Sequence, residues 1–382
     1  MKIAIDARGI NWYKGTGIGT YTYNVLKKLL QFNDNNEYSL FWSGGNFQEF
    51  KRRNTNIIMA SKKHQRFFES IYFPNYIDCY NVDIYHVPQN GIGISNGLNC
   101  KKIVTIHDLI PYILPETVGK GYLKKFLEEM PKIIECSDGI ITVSEQSKND
   151  ILKFFPCYDK EKIYVTPLAA DVQFNPIDKK QCKNTVNERY KFNTPYILYI
   201  GGFSARKNVR GLIEAFHKIQ KDLKKVISLV IVGSLRDEGE KIYNLVKELN
   251  LLDKIIFTGF AEDQFLPTLY SGCEVFVYPS FYEGFGLPPL EAMSCKAPVI
   301  TSNTTSIPEV VGDAGLLINP HNKDELSCAL LKVLNDEDFK ENLREKGYLR
   351  SQHFSWQNTA INTLMAYQSV NENLTLSPKV VI

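Results

Sequence analysis

The stretch YPSFYEGFGLPPLEAM, Tyr278 to Met293, holds two carboxylates eight positions apart, Glu283 and Glu291, with two glycines and two prolines between them. The run before it, Val275–Tyr278, is apolar and β-like. Gly284 and Gly286 permit backbone conformations that other residues resist. Pro288 and Pro289 suit the entry to a helix. Glu291 is therefore expected in the first turn of a helix whose body is Leu290–Cys295, with Glu283 in the loop before it. Glycines let backbone donors approach a ligand, and a helix start favours an anion. A helix capped by one glutamate would account for Glu291 but not for Glu283 and both glycines.

Three further stretches could do chemistry. In YIGGFSARKN, Tyr199 to Asn208, a strand runs out at Gly201 and Gly202, and Arg206 and Lys207 are expected to open a helix. Two fixed cations at a strand–helix junction make a diphosphate clamp. In IVTIHDLIP, His107 and Asp108 sit where an apolar strand ends. A histidine there suits a sugar hydroxyl or a developing charge, although a lone histidine also serves structure. In KGTGIGTY, Gly17 is the middle glycine of a GxGxG run. That is neither a Walker loop nor GxGxxG, so a phosphate loop and a plain flexible turn both stay open. The DED at Asp336–Asp338 reads as a turn or cap, and with no HxxH or Cys/His cluster no metal is expected.

These residues need elements to hold them. Lys2–Asp6 reads as a first buried strand, followed by a glycine-rich turn and a helix from about Tyr21 to Gln31. Short apolar runs then alternate with helical patterns to Phe154. The pattern restarts at Tyr196–Ile200 and continues to Gln352. Such alternation predicts parallel sheets covered on both faces. Two α/β domains are expected: residues 1–175, then a polar linker at 176–194 within the weakly periodic Pro167–Thr194 stretch, then 195–353. Ligands would bind beyond the strands' carboxyl ends, in a cleft faced by both Rossmann-like halves.

A length of 382 residues suits two domains. A net charge of +3 argues against a dedicated nucleic-acid binder. The longest apolar run, Val226–Val232, is too short to span a membrane, and Asp6 and Arg8 interrupt any signal core, so a cytoplasmic location is expected. The eight cysteines have no paired spacing and read as reduced, mostly buried thiols.

In this order the motifs resemble the GT-B glycosyltransferases of family 4, a retaining group, over nearly the whole chain. The most specific part is EGFGLPPLE followed by APVITSNTTSIPEVVGDAGLLINP, Ala297 to Pro320; GTGIGTY, HDLIP, ITVSEQSKND and RKN add to it. FSW at Phe354–Trp356 resembles the segment where the chain crosses back, implying a helix over about 354–372 that joins the first domain. The resemblance implies that Glu291 holds the ribose hydroxyls of a donor nucleotide. It implies that Glu283 faces the transferred sugar, with amides of Phe285, Gly286 and Leu287 near sugar and phosphates. Arg206 and Lys207 would bind the diphosphate, His107 would sit at the reacting face of the sugar, and Gly17 would line the phosphate side. Many members carry Gly-Arg where this chain has Gly201-Gly202. Either Arg206 takes over the missing cation or phosphate binding is weaker.

The activity implied is metal-independent, retaining transfer from GDP-mannose or a UDP-sugar to a glycan or lipid-linked acceptor in surface polysaccharide assembly. A nucleotide-sugar epimerase, a sugar phosphorylase and a non-catalytic nucleotide-sugar binder are the alternatives. A Rossmann dehydrogenase is disfavoured by the glycine spacing. Basic residues between Lys51 and Arg66, beside Phe67 and Phe68, and the lysines of KGYLKKFLEEMPKII could hold the chain on an anionic leaflet. A solvated surface with an ordinary amphipathic helix is the alternative there.

Overall fold

The structure is a computed structural model, described here for residues 1–32, 35–95, 97–234 and 238–372. The chain divides into two compact units. One comprises Met1–Leu168 with residues 355–372, the other Ala169–Phe354.

The first unit is built on a parallel sheet of seven strands: β1 (Lys2–Asp6), β2 (Glu37–Trp42), β3 (Thr55–Met59), β4 (Ile84–Val87), β5 (Lys101–Ile106), β6 (Gly139–Thr142) and β7 (Ile163–Val165). Their order is β3-β2-β1-β4-β5-β6-β7, so the direction of winding reverses between β1 and β4. All four residues of β4 and of β6 are buried, the mark of strands covered on both faces. The helix Gly17–Leu29 starts at Thr16, whose hydroxyl accepts from the Gly19 amide at 3.4 Å. It buries Tyr21, Val25, Leu26 and Leu29 at helical spacing. The helix Trp356–Asn371 belongs to this unit. Its Tyr367 hydroxyl meets His86 Nδ1 at 2.7 Å, and Thr359 donates to the Pro167 carbonyl at 2.6 Å.

The second unit carries β8 (Tyr196–Ile200), β9 (Ser228–Val232), β10 (Ile255–Gly259), β11 (Val275–Tyr278), β12 (Val299–Ser302) and β13 (Leu316–Ile318), all parallel. The order is β10-β9-β8-β11-β12-β13, with the reversal between β8 and β11. The helix Val209–Ile219 packs Val209, Leu212, Ile213, Phe216 and Ile219 inward, an i, i+3, i+4, i+7 stripe.

Two expectations need correction. The stretch read as a linker holds the helix Lys179–Tyr190, capped by Asp178, whose side chain accepts from the amides of Lys180 and Gln181. It buries Cys182 and Val186, and two buried positions in twelve residues leave little periodicity to read. The thiols are also less buried than expected. Cys182, Cys273 and Cys295 are buried, but Cys79, Cys157 and Cys328 are exposed. Asp336 is indeed a cap; its carboxylate accepts from the Phe339 amide at 2.9 Å.

Candidate functional site

Open parallel sheets bind ligands beyond the carboxyl ends of their strands, where the winding reverses. In the second unit that point lies between β8 and β11, and it gathers both segments singled out by sequence. β8 ends at Ile200 and the Gly201 amide donates to the Val232 carbonyl at 3.0 Å. A Cβ on Gly202 would meet nothing within 4 Å. Arg206 and Lys207 do not open the next helix, contrary to expectation. They sit in a separate 3-10 turn, Ala205–Lys207, and Asn208, with φ of 52°, stands between that turn and the helix. Asn208 caps the helix through the Gly211 amide at 3.2 Å and donates to the Pro320 carbonyl at 2.9 Å. The cations are thereby kept off the helix start, where the dipole disfavours them.

Glu283 lies in the loop after β11, as expected, but with partners that no local pattern announces. Its Oε1 is 2.9 Å from Arg206 Nη1 and 2.7 Å from Lys207 Nζ, and no side chain of the three is more than 16% exposed. Lys207 also donates to the Tyr278 hydroxyl, with Nζ 4.8 Å from the centroid of that ring. Arg206 Nη1 donates to the Tyr282 carbonyl at 2.8 Å. Burial pushes the Glu283 carboxyl up, but Lys207 and Arg206 together outweigh it and hold the group down at about 2. Two cations against one carboxylate leave this junction with a positive excess.

The loop is braced from behind. The Glu283 amide donates to Thr305 Oγ1 at 3.2 Å, and Ser306 Oγ lies 2.8 Å and 2.7 Å from the carbonyls of Glu283 and Phe285. Gly286 adopts φ of 124°, and a Cβ there would come within 2.8 Å of Ile307 Cδ1, so the turn requires glycine.

Glu291 is placed differently from the expectation. The helix is Leu287–Ser294, starting three residues early, so Glu291 lies past its first turn. Pro288 and Pro289 fall inside that turn and carry no N–H. The helix start therefore presents amides through Gly286 and Leu287 rather than at Glu291. Glu291 Oε2 accepts from the Tyr270 hydroxyl at 3.0 Å. Burial pushes its carboxyl up to about 8; the Tyr270 bond lowers it, and Asp263 and Asp171 raise it further. The two glutamates are thus tuned apart, one ionised at neutral pH and one holding its proton.

In the first unit, His107 follows β5 and is 7% exposed. Its amide donates to Asn90 Oδ1 and its Nε2 to the Pro88 carbonyl, each at 2.9 Å. A carbonyl can only accept, so the proton sits on Nε2 and Nδ1 is the acceptor nitrogen. Burial lowers the imidazole to about 4, so it is neutral at physiological pH. Asp108 Oδ1 accepts from the Ile110 amide at 3.0 Å. Gly17 is the first residue of its helix and a Cβ there would meet nothing within 4 Å. Gly19 is the glycine whose side chain would collide, at 2.3 Å from the Tyr13 carbonyl oxygen.

Sequence reading missed Tyr270, Tyr278 and the Thr305–Ser306 brace, all joined to the site across long chain separations, and Asn208, which directly follows Lys207 and caps the next helix. It also missed Asp6 and Arg8, although DAR at the carboxyl end of β1 was a usable signal. A recess of about 680 Å³ lined by Asn36, Asn54 and Tyr80 lies at the amino ends of β1 to β3, the wrong edge for a ligand site in a parallel sheet.

Comparison with known proteins follows the same division. Residues 183–350 match the family described as glycosyl transferases group 1, and residues 15–174 match Glycosyltransferase Family 4. The O-antigen chain mannosyltransferase B of Escherichia coli is 32% identical over 96% of this chain and 100% of its own length. Sucrose-phosphate synthase from Thermosynechococcus elongatus superposes with a TM-score of 0.77 at 22% identity, covering 98% of this chain and all of its own. Anabaena HepE in complex with UDP and glucose gives 0.74 at 16% identity, covering 97% and 100%. At those identities the two structures establish the fold, a pair of parallel-sheet α/β domains of GT-B type.

Proposed function

Because this chain belongs to glycosyltransferase family 4 and is a GT-B glycosyltransferase, we propose that it moves a hexosyl group, mannosyl first among candidates, from a nucleoside diphosphate sugar to a glycan or lipid-linked saccharide. The mannosyl assignment and a role in surface polysaccharide synthesis rest on the printed name of the Escherichia coli relative. GDP-mannose is the donor of choice and a UDP-sugar the second.

One observation carries the proposal: Arg206 and Lys207 are clamped by Glu283 at the switch point of the second sheet, and the loop that holds Glu283 leads into the helix start at Gly286–Leu287. A departing nucleoside diphosphate gathers negative charge, and fixed cations and amides stabilise it without reorganisation. The anomeric C1–O bond to the β-phosphate breaks, and its electron pair stays on the phosphate. The acceptor oxygen bonds to C1, and its proton passes to the leaving phosphate. Attack on the same face as departure retains the anomeric configuration. Glu291 would accept from the ribose hydroxyls and Glu283 would order the sugar and both cations. His107, neutral and with Nδ1 as acceptor, would take a sugar hydroxyl. Gly202, where a Cβ would meet nothing within 4 Å, would leave room for phosphates, and Asp108 would support the His107 loop through the Ile110 amide. The positive charge needed by the leaving group is supplied by the chain, so the reaction proceeds without a metal.

Among the described residues no helix is long and apolar enough to cross a membrane. Contact with an anionic inner leaflet is the accompanying proposal. Phe67, Ile71, Tyr72, Tyr122 and Leu127 are exposed large apolar side chains, set among the basic residues noted above. A panel of nucleoside diphosphate sugars, scored for hydrolysis and transfer with and without chelator, tests the donor and metal assignments together. Turnover of GDP-mannose that survives chelation is expected. Acceptor-free interconversion of the donor would favour an epimerase and overturn the reading.

A further inference from the structure

The recess at the amino ends of β1 to β3 holds about 680 Å³, within the range of roughly 300–1,000 Å³ that small-molecule sites occupy. The reacting ligands of a parallel sheet sit at the opposite edge, so this recess is not a second reacting centre. The strands that carry it are five and six residues long, which sets the two edges roughly 17–20 Å apart.

The floor of the recess follows from strand register. Lys2 stands opposite Glu37, and Ser39 opposite Asn56. Neighbours in register share a face of the sheet, and so do residues two apart along a strand. Lys2, Glu37, Ser39 and Asn56 therefore lie on one face, and Asn54 comes two residues before Asn56. The helix Phe73–Cys79 covers that face. Its Tyr76 hydroxyl meets Ser39 Oγ at 3.0 Å and takes Asn56 Nδ2 at 2.7 Å. A sheet face under a helix is ordinarily apolar, and here its amino end is polar. Tyr80, just past the helix, stacks on Tyr76 with ring centroids 4.2 Å apart and 23° between the planes. Tyr76 is 9% exposed and Tyr80 54%, so the outer ring is open to an occupant.

The hydrogen-bonding groups of this lining are mostly acceptors. Asn54 Nδ2 donates to the Asn36 carbonyl at 2.9 Å and Asn56 Nδ2 to Tyr76, which leaves the two amide oxygens to accept. Glu37, exposed beside them, adds a carboxylate. Of the two cations in the lining, Lys2 donates to the Tyr80 carbonyl at 3.0 Å, while Arg53 is exposed at the rim. An occupant must therefore give several hydrogen bonds, accept a few, and lay an apolar face on a tyrosine ring. A sugar ring has that combination, with C–H faces and hydroxyls that both give and accept. Acceptors in the majority, one of them charged, disfavour an anion.

We propose that this recess is a binding site for a neutral oligosaccharide, with one ring on Tyr80 and its hydroxyls bonded by Glu37, Asn54, Asn56 and Arg53. No bond is made or broken there; the site holds part of a saccharide away from the reacting centre. That use rests on the glycosyl-transfer reading, but sugar binding in the recess stands without it.

The test is hydrogen exchange read by mass spectrometry on the full chain, with no nucleotide present, titrated with mannotriose and, separately, with its 6-phosphate. In wild type, mannotriose should slow exchange in the segments 35–39, 52–56 and 78–82, and the phosphorylated sugar should do so more weakly. Tyr80→Ala should need about tenfold more mannotriose for the same protection, or roughly 1.4 kcal/mol. Tyr80→Phe, which keeps the ring, should match wild type. Glu37→Lys, at an exposed position, should weaken mannotriose and strengthen its 6-phosphate at the same segments, and it decides the matter alone if Tyr80→Ala does not fold. The proposal is overturned if mannotriose leaves those segments unprotected in wild type, if either Tyr80→Ala or Glu37→Lys is protected as wild type is, or if the 6-phosphate protects wild type more strongly. Protection of the recess in a wild-type chain that takes no nucleotide would sink the transferase reading and leave the site standing.

Discussion

Replacing Glu283 with glutamine removes the one carboxylate that two cations share while keeping its size. The carboxyl stands at about 2 instead of 4.5, with Lys207 and Arg206 overcoming the burial that would raise it. At ~1.4 kcal/mol per tenfold change, that difference corresponds to roughly 3 kcal/mol of folded-state stabilisation. The folded group is depressed, so its contribution is present above the unfolded value and is lost as pH falls through about 2. Glu283→Gln should therefore be less stable than wild type at pH 7 by roughly 3 kcal/mol, and the gap should narrow by about 1 kcal/mol by pH 3.5. A nucleoside diphosphate would supply the missing negative charge. The stabilisation it confers, which scales as RT ln(1 + [L]/Kd), should be larger in the variant than in wild type at equal concentration, even though turnover is lost. Urea titrations at pH 7, 4.5 and 3.5, with and without GDP, measure all three quantities. A variant as stable as wild type at pH 7, or a gap that does not change with pH, would refute the electrostatic reasoning.

Two other substitutions and one proton count extend the account. Glu291 is raised to about 8, so the folded chain holds a proton that the unfolded chain gives up near pH 4, and stability falls as pH rises across that window. Glu291→Gln should accordingly stabilise the nucleotide-free protein above pH 8 while weakening nucleotide binding; equal thermal midpoints at pH 9 would count against it. If Glu291 accepts ribose hydroxyls as a carboxylate, nucleotide binding at pH 7 should release up to about one proton, read by calorimetry in buffers of different ionisation enthalpy. Gly286→Ala meets both a positive φ and Ile307, and should cost roughly 1–3 kcal/mol with a larger loss in nucleotide affinity than in thermal midpoint.

What sequence made legible follows from how locally each feature is encoded. The strands Val275–Tyr278 and Tyr196–Ile200 stood out because strands buried on both faces are continuous apolar runs. Glu283, Arg206 and Lys207 were found through their glycine-rich neighbours, but their pairing spans 76 residues and no local spacing encodes it. Glu291 lies past the first turn because Leu287 already belongs to the helix, whereas in sequence Pro288 and Pro289 mark a later entry. The helix Lys179–Tyr190 was hidden by its two apolar contacts, although Asp178 carried a capping signal. In sequence Arg8 reads only as a charge that interrupts a leader. Its burial depends on Asp6, Glu69 and Phe73 meeting in space.

The central claim is that Arg206 and Lys207 neutralise a nucleoside diphosphate at the switch point of the second sheet. Calorimetric titration of GDP into wild type, Arg206→Ala and Lys207→Ala at fixed salt tests it most directly. Each variant should bind at least about tenfold more weakly, a loss of roughly 1.4 kcal/mol or more. GDP affinity that survives both substitutions unchanged would contradict the account.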